Sequence, residues 1–418
     1  MEEWKEYKIS EIIEEIAMGP FGSNIKVDNF IDFGIPVLNG SNLQGFKLNE
    51  DSFNYVSEEK ADSLGRANAF RGDVVITHRG TLGQIVYIPL DSKYERYVIS
   101  QSQFRLRLNQ NIIRPDFFVY FFHTRIGQHR ILMNASQVGV PALARPTSTF
   151  KEITIPVPPM EIQNRVMAIL LSLDDKIELN RRINENLEQQ AQALFKSWFV
   201  DFEPFKDGKF VDSELGMIPE GWKVGTLDKV GEIVGGGTPP KSEPLFYCDN
   251  GISWITPKDL SINQSKYISK GKIDITEIGY KNSSAKKIPA GSVLFSSRAP
   301  IGYIAIARNE VTTNQGFKSV IPQKAGTCFI YLFLKYNTEY IESQATGSTF
   351  KEVSGSLMKS QKLIIPTQYI LDEFEYKLRP IFSAQCNLES ENQRLIQIRD
   401  TLITKLMSEE LEINNFNL

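Results

Sequence analysis

The sequence predicts an α+β protein in which two globular, mixed α/β domains are separated by two long helices. Two segments place apolar residues at every seventh position, which is typical of helices that pack along a seam. Each segment follows a region of short β-like runs interrupted by glycine, proline and asparagine. The two halves also match each other in sequence, so a domain and a helix occur twice. Because the chain must return from the second domain, we expect an intramolecular antiparallel coiled coil with pseudo-two-fold symmetry.

Size and composition are those of an ordinary globular protein. The 418 residues are 41% hydrophobic and 23% charged, which suits two or three domains. Cys248, Cys328 and Cys386 are scattered and odd in number, so neither a disulfide framework nor a metal site is indicated. No apolar run reaches the roughly eighteen residues of a membrane span, and the acidic start is no signal peptide. We expect no membrane partner and a cytoplasmic location.

Turn residues and prolines divide the chain into five segments. Prolines at 156, 158 and 159 precede the first helix, and Thr367 is a suitable N-cap for the second. The predicted segments are a first domain (1–157), a first long helix (158–200), a linker (201–218), a second domain (219–366) and a second long helix (367–412).

The seam of the coiled coil follows from the seven-residue spacing. Its predicted members are Val166, Leu173, Asn180, Leu187 and Leu194 in the first helix, and Phe374, Ile381, Leu388, Leu395 and Leu402 in the second. Asn180 is the polar exception. A buried amide that finds a partner disfavours slipped alignments of the helices. A solvent-filled notch at Asn180 is the competing interpretation.

The internal repeat rests on several matches that occur in the same order in both halves. They pair Arg71–Arg79 with Ala290–Arg298, Gly83 with Gly302, Ser100–Phe104 with Thr313–Phe317, and Ser148–Glu152 with the identical Ser348–Glu352. The period is too long for a solenoid, so we interpret the repeat as a tandem duplication of a domain plus a helix.

Charge is unevenly distributed along the chain. The net charge is −3, yet residues 219–366 contain 18 Lys and Arg against 12 Asp and Glu, and residues 60–157 contain 13 against 6. A positive surface on each domain would attract DNA phosphates. Random surface charge is the competing interpretation.

Known catalytic patterns are missing from the sequence. It contains no Walker A loop, and Gly235–Pro240 lacks the lysine and hydroxyl residue that a phosphate loop requires. Neither the Pro-Pro-aromatic segment of amino-methyltransferases nor a nuclease set of carboxylates and lysine is present. We therefore expect no catalytic residues, no metal site and no cofactor in this chain.

Several segments together resemble the DNA-specificity subunits of type I restriction–modification enzymes, over essentially the whole chain. These segments are Ile155–Gln163, Leu194–Pro204, Leu215–Trp222, Gly236–Pro239, Ser296–Gly302 and Thr313–Phe317. The resemblance implies two target-recognition domains that alternate with two long helices.

The resemblance also implies partners and a division of labour. The subunit would have no activity of its own and would bind double-stranded DNA at a bipartite, asymmetric site. It would bind two copies of an adenine-N6 methyltransferase subunit, which hold S-adenosylmethionine. Systems that also restrict would add two translocase–nuclease subunits, which use ATP and Mg²⁺.

Candidate DNA contacts are polar residues beside glycine or proline turns at corresponding places in both halves. They are Ser23, Asn24, Lys26, Arg79, Thr81 and Gln101 in the first domain, and Thr238, Lys241, Ser297, Arg298, Asn314 and Gln315 in the second. Arg79 and Arg298 are the best candidates because each follows a predicted strand at an equivalent place. The competing interpretation of each residue is a turn side chain that satisfies local backbone groups.

Two other functions compete with DNA reading. A coiled-coil scaffold could space protein partners without touching DNA, although the basic domains and the family-specific segments argue against it. A self-sufficient methyltransferase is the third possibility, and the missing motifs argue against that one.

Overall fold

The computed structural model describes residues 4–22, 24–133, 135–136, 139–347 and 351–407. These form two compact units, one from residues 1–176 with 395–418 and the other from residues 177–394. We call them the first and the second unit. The boundary cuts through both long helices, so each unit contains one globular domain and parts of both helices. No helix in the described ranges is long and apolar enough to cross a membrane.

The two long helices are continuous. The first spans Met160–Phe199 and the second spans Gln368–Leu406. Residues 408–412, which the sequence assigns to the second helix, lie outside the described residues. Every predicted seam residue is buried or half-buried.

Within each unit the helices pack antiparallel. In the first unit the start of the first helix, at Val166 and Leu170, shares a core with Ile403 and Leu406 at the end of the second. In the second unit the end of the first helix, at Phe195 and Trp198, shares a core with Phe374 and Leu378 near the start of the second. Of these residues Val166 and Phe374 belong to the predicted seam, whereas Leu378 and Leu406 share another seven-residue row of the second helix.

Asn180 is fully buried and has partners, which favours the register interpretation over the notch. Its amide nitrogen donates to Glu391 Oε2 at 2.8 Å and to Asn392 Oδ1 at 2.9 Å. Asn392 in turn donates to the carbonyl oxygen of Ile177 at 3.1 Å. A slipped alignment would leave these buried amides unpaired, so the polar group specifies the alignment at this level of the seam.

The globular domain of the first unit contains two four-stranded sheets. One has the strand order Ile13–Met18, Gln103–Leu108, Val74–Thr77, Ile85–Tyr87, and the other has the order Asn54–Val56, Ile35–Val37, Arg96–Val98, Asn68–Phe70. Short pairs join Lys5–Lys8 to Thr154–Val157 and Ala135–Ser136 to Ala142–Leu143. The helices of this domain are Ile9–Ile12, Glu58–Ser63, Pro115–His123, Arg125–Leu132 and Pro146–Lys151.

The domain of the second unit is built around a five-stranded sheet. Its strand order is Gly231–Gly235, Lys318–Pro322, Val293–Ser297, Ile301–Ala307, Tyr267–Ile268. Short pairs join Phe210–Val211 to Ile218–Pro219, Lys223–Thr226 to Lys362–Ile365, Tyr247–Cys248 to Asp274–Ile275, and Trp254–Ile255 to Thr312–Thr313. The helices of this domain are Pro257–Ile262, Glu277–Lys281, Thr327–Tyr336, Thr338–Ser343 and Gly355–Lys359.

A polar cluster that we call the first clamp attaches the first domain to both long helices. The Tyr120 hydroxyl donates to the carboxylate of Asp174 on the first helix, and Arg399 on the second helix pairs with the same carboxylate at 2.7 Å. The Arg399 guanidinium lies 4.7 Å from the centre of the Phe46 ring, which stacks on Tyr120 at 4.1 Å. Burial is the main reason why the pKa of Tyr120 is raised. The hydroxyl therefore stays protonated and donates to the carboxylate.

The second clamp uses the same groups with their positions exchanged. Lys266 of the domain pairs with Glu188 on the first helix at 2.9 Å, and its ammonium lies 3.3 Å from the centre of the Phe382 ring on the second helix. Tyr331 donates to Glu188 Oε1 at 3.2 Å. Lys266 and Phe46 occupy corresponding places in the two domains. The carbonyl oxygen of Lys266 accepts from Ile306 N at 2.7 Å, and that of Phe46 accepts from Tyr87 N at 3.1 Å, where Ile306 and Tyr87 are in matching strands. The domain supplies the ring in the first clamp and the cation in the second.

The tandem duplication is visible in the strand pairing and in one pair of glycines. Gly83 and Gly302 have φ values of +86° and +94°. A side chain at either would meet Gln128 Oε1 at 2.3 Å or Thr338 Cγ2 at 2.5 Å. The positive φ favours glycine at both positions, in a turn at Gly83 and within the strand Ile301–Ala307 at Gly302, where the Thr338 side chain also leaves little space.

The identical pentapeptide is one of two repeat matches that the structure contradicts, the other being Phe104 with Phe317, which lie at strand positions that differ by one residue. Ser148–Lys151 belongs to the helix Pro146–Lys151, and Phe150 is buried in the core. In the second copy residues 348–350 lie outside the described residues, and Lys351 and Glu352 precede the helix Gly355–Lys359. That helix leads into the last strand of its domain, as Pro146–Lys151 does, with Met358 buried in the place of Phe150. The two copies of the pentapeptide therefore have the same sequence but lie at different places relative to the helix that precedes the last strand.

Candidate nucleic-acid interface

In the second unit most of the predicted contact residues lie together at the ends of neighbouring strands. The Thr238 hydroxyl contacts the side-chain oxygen of Gln315. The backbone of Gly316, next to Gln315, accepts from Ser297 N at 2.7 Å. Asn314 lies in the same turn, and its side chain accepts from Gly316 N at 2.8 Å. Lys241 is exposed on the loop that follows Thr238.

Arg298 belongs to a group of four polar side chains that we call the Arg298 network: Ser297, Arg298, Lys318 and Glu352. Glu352 Oε2 lies 3.4 Å from the guanidinium of Arg298, and Glu352 Oε1 lies 3.2 Å from Lys318 Nζ. Lys318 Nζ also lies 3.4 Å from the Ser297 hydroxyl. The exposed fractions of the Arg298 and Glu352 side chains are 36% and 37%, against 15% for Lys318. Ser297 is fully buried, so it faces the network rather than the surface.

In the first unit the corresponding residues surround His78. His78 Nε2 lies 3.1 Å from the carbonyl oxygen of Gln101, and the backbone N–H of His78 donates to Ser102 O at 2.8 Å. Burial is the main reason why the pKa of His78 is lowered, so the ring is neutral at neutral pH and donates from Nε2. Arg79 and Thr81 follow directly and are exposed. Three predicted residues of this unit, Arg79, Thr81 and Gln101, are therefore near neighbours.

The other predicted contacts of the first unit lie on a separate loop. Asn24 and Lys26 are exposed, and Lys26 uses its backbone N–H to bind the Asn29 side chain at 2.9 Å. Ser23 lies outside the described residues. No described contact joins this loop to Arg79, so the assignment of Asn24 and Lys26 remains a prediction from sequence.

The arginines Arg79 and Arg298 have different surroundings. Arg298 shares Glu352 with Lys318, whereas Arg79 makes no ion pair within the described ranges of the chain and only a backbone bridge to Ala142. Arginine presents five N–H donors and can bind a guanine edge or a phosphate. The two units therefore present the same functional group at different degrees of restraint.

The sequence prediction does not include three side chains at these strand ends, His78 in the first unit and Lys318 and Glu352 in the second. His78 precedes Arg79, and from the sequence alone the arginine is the more obvious DNA contact. Lys318 follows the matched segment that ends at Phe317, and only the observed strand register brings it to Ser297 and Glu352. Glu352 belongs to the repeated pentapeptide, and nothing in that match indicates its neighbours Arg298 and Lys318.

None of the described residues forms a cluster of His, Cys, Asp or Glu that could hold a metal ion. The described polar groups at the strand ends of the second unit are cations, amides and hydroxyls, with the carboxylate of Glu352 shared between Arg298 and Lys318. Such a set can bind phosphates and base edges through hydrogen bonds.

Comparison with known proteins gives a consistent result. The family model described as "Type I restriction modification DNA specificity domain" matches residues 1–189 and residues 219–379. The chain is 28% identical over 479 residues to the type I restriction enzyme HindI specificity subunit of Haemophilus influenzae, covering 98% of this chain and 100% of that protein. It is 37% identical over 202 residues to the MjaIX specificity subunit of Methanocaldococcus jannaschii, covering 47% and 45%.

A solved structure shares the fold. The S subunit of a type I restriction–modification system from M. genitalium matches with a TM-score of 0.57 at 15% identity, covering 97% of this chain and 96% of that one. The predicted fold class is thereby confirmed. The two matches of the family model, at residues 1–189 and 219–379, confirm the tandem duplication.

Proposed function

The chain belongs to the type I restriction–modification DNA specificity family, and on that premise we propose that it reads a bipartite, asymmetric DNA site. Each domain would read one half-site, and the long helices would set the spacer between the half-sites. The half-sites should differ because the domains present different side chains, as Arg79 and Arg298 illustrate. The family match in both halves, each with polar side chains gathered at strand ends, is the observation that carries this proposal.

The chain is the recognition subunit of its system and not the enzyme. Its relatives are named as specificity subunits of restriction enzymes. Its partners are accordingly DNA and the methyltransferase and restriction subunits of a type I complex. We propose two methyltransferase copies per chain, since the chain contains two domains of one kind, and two restriction subunits in systems that also cleave.

Cofactors would then belong to the partners. S-adenosylmethionine would bind the methyltransferase, and ATP with Mg²⁺ would bind the restriction subunits. This chain would supply only contacts to DNA and to those subunits. Methyl transfer by the purified chain alone would contradict this division.

The scaffold alternative finds no support among the relatives, and a binding experiment separates it from DNA reading. Duplex DNA of random sequence is titrated with the chain in complex with its methyltransferase partner, at salt concentrations from about 50 to 200 mM. We expect retardation of the DNA that weakens steeply with salt, beyond what the methyltransferase alone produces. A scaffold that spaces proteins would add no salt-dependent retardation.

A further inference from the structure

We propose that Glu352 holds Arg298 in place to read a guanine in one half-site, whereas Arg79 binds a phosphate in the other. The proposal rests on the proposed function and assigns unequal roles to two arginines at equivalent positions. Glu352 is a positioning residue in this scheme, and Arg298 is the residue that touches the base.

The backbone fixes Glu352 beside Arg298. Val353 N donates to Ser297 O at 3.0 Å, which ties the segment that carries Glu352 to the end of the strand that carries Arg298. The carboxylate then reaches Arg298 with one oxygen at 3.4 Å and Lys318 with the other at 3.2 Å. Lys318 is only 15% exposed, so its contribution is to hold the carboxylate rather than to contact a ligand.

The charges of the Arg298 network suit a base edge better than a phosphate. A half-exposed carboxylate beside the guanidinium repels phosphate oxygens, and it lowers the net positive charge that a phosphate would meet. Contact with one nitrogen of Arg298 leaves further N–H donors, which can bind guanine O6 and N7. Restraint by Glu352 reduces the side-chain freedom that would be lost on binding.

The first unit lacks both partners at the same places. Leu143 N donates to His78 O at 2.8 Å in the first unit, and Val353 N donates to Ser297 O in the second. Leu143 and Val353 therefore correspond, and so do the residues that precede them in the chain. These residues are Ala142 beside Arg79, and Glu352 beside Arg298. Among the described residues no carboxylate restrains Arg79, and its exposed side chain suits a phosphate.

The second missing partner is a counterpart of Lys318, and the strand register explains its absence from the corresponding position in the first unit. Ile76 faces Phe104 in the first unit. In the second unit Val293 faces Val320 and Ser296 faces Phe317, so Lys318 lies opposite Phe295, in the position that corresponds to Phe104. A core ring in one unit is thus replaced by the ammonium that secures Glu352 in the other. Phe317 correspondingly packs on the other face of its sheet, in a different core from that of Phe104.

The test uses the complex of the full chain with its methyltransferase. The half-sites of the wild type are mapped first, and methylation rates are then measured on duplexes that carry every single base-pair change. We expect R298A to reduce discrimination at one G·C pair of one half-site by about 5- to 150-fold. E352Q should reduce discrimination at that same pair while the slope of binding against salt does not become shallower. The double variant R298A/E352Q should be no worse than R298A alone.

R79A is the matched variant from the other unit. We expect it to weaken binding to all sequences alike and to make the salt dependence shallower by about one unit. Unchanged discrimination at the other half-site and an unchanged melting temperature serve as folding controls for R298A and E352Q.

Specific outcomes would overturn the proposal. They are a second-domain half-site without a G·C pair, E352Q with full discrimination, or R298A with a uniform loss and a shallower salt dependence. If the wild-type complex does not distinguish its site from random duplex, the proposed function itself fails, and that result is separate from the others.

Discussion

Replacement of Lys266 by methionine should destabilise the second unit strongly, because the second clamp holds a buried charge pair. The Lys266 side chain is 6% exposed and that of Glu188 is 20% exposed, with 2.9 Å between their charged atoms. Burial lowers the pKa of Lys266, against the opposing effect of Glu188. Burial alone would raise the pKa of Glu188, but Lys266, Gln192 and Gln385 together hold it below its ordinary value. Both groups therefore remain charged at neutral pH.

Removal of one partner leaves the other charge buried without its counterion, which costs about 3–5 kcal/mol. Methionine keeps most of the volume of lysine, so the loss of stability in K266M reports the removal of the charge rather than a change in packing. We expect the midpoint of thermal unfolding of the second unit to fall by roughly 6–20 °C, as measured by calorimetry at pH 7.

The control removes both charges. In K266M/E188M neither charge of the pair remains, and such a replacement is often neutral or stabilising. We expect the double variant to recover most of the stability that K266M loses. A loss below about 1 kcal/mol for K266M, or a double variant as unstable as the sum of both single changes, would refute the reasoning.

Three further predictions concern the seam, the spacer and pH. N180L should lower the free energy of unfolding by about 1–3 kcal/mol, because Asn392 loses the donor that lies 2.9 Å away, whereas N180L/N392L should restore it in denaturant titrations; equal losses in both variants would contradict this. One heptad inserted into each long helix adds about 10.5 Å, so mapped methylation sites should keep both half-sites and gain a spacer of about three base pairs; an unchanged spacer would contradict the role of the helices. Burial lowers the pKa of His123 below 6.5, so its contribution to stability is complete above that pH and is lost as the pH falls below it. The stability difference between wild type and H123Q should therefore shrink between about pH 7 and pH 5; a constant difference would show that His123 does not titrate.

The long helices could be predicted because their signal is local and periodic. Seven-residue spacing indicates a seam without any knowledge of long-range contacts, and the predicted seam residues are buried or half-buried. The polar members of the second helix escaped the prediction. Gln385, Asn392 and Arg399 share one row of that helix with Leu378 and interrupt its apolar pattern. Only their partners in space, such as Asp174 for Arg399, reveal why they are tolerated.

The repeat was read correctly wherever geometry demands a residue type. Gly83 and Gly302 match because the backbone at both positions has a positive φ, which favours glycine. Phe104 and Phe317 are aligned in the repeat, but their strands differ in register by one residue, so the two rings lie on opposite faces of their sheets. A strand reverses its faces with every residue, so a sequence alignment cannot detect such a shift.

The candidate site was predicted in part for a similar reason. Arg79 and Arg298 could be proposed as contacts from the sequence because a polar residue directly after a buried strand is a local feature. Glu352 lies 54 positions from Arg298 along the chain, and no spacing rule connects the two residues. The burial of Ser297 likewise depends on Lys318 and on the segment at Val353, which pack against it from distant parts of the sequence.

The most direct measurement is the map of methylated adenines made by a chimera. Residues 219–366 are exchanged for the matching domain of a specificity subunit with a different known site, and the chimera is expressed with the methyltransferase of this system. If each domain reads its own half-site, one half of the methylated sequence will change while the other half and the spacer stay as in the wild type. Methylation at an unchanged site, or a change in both halves at once, would contradict that account.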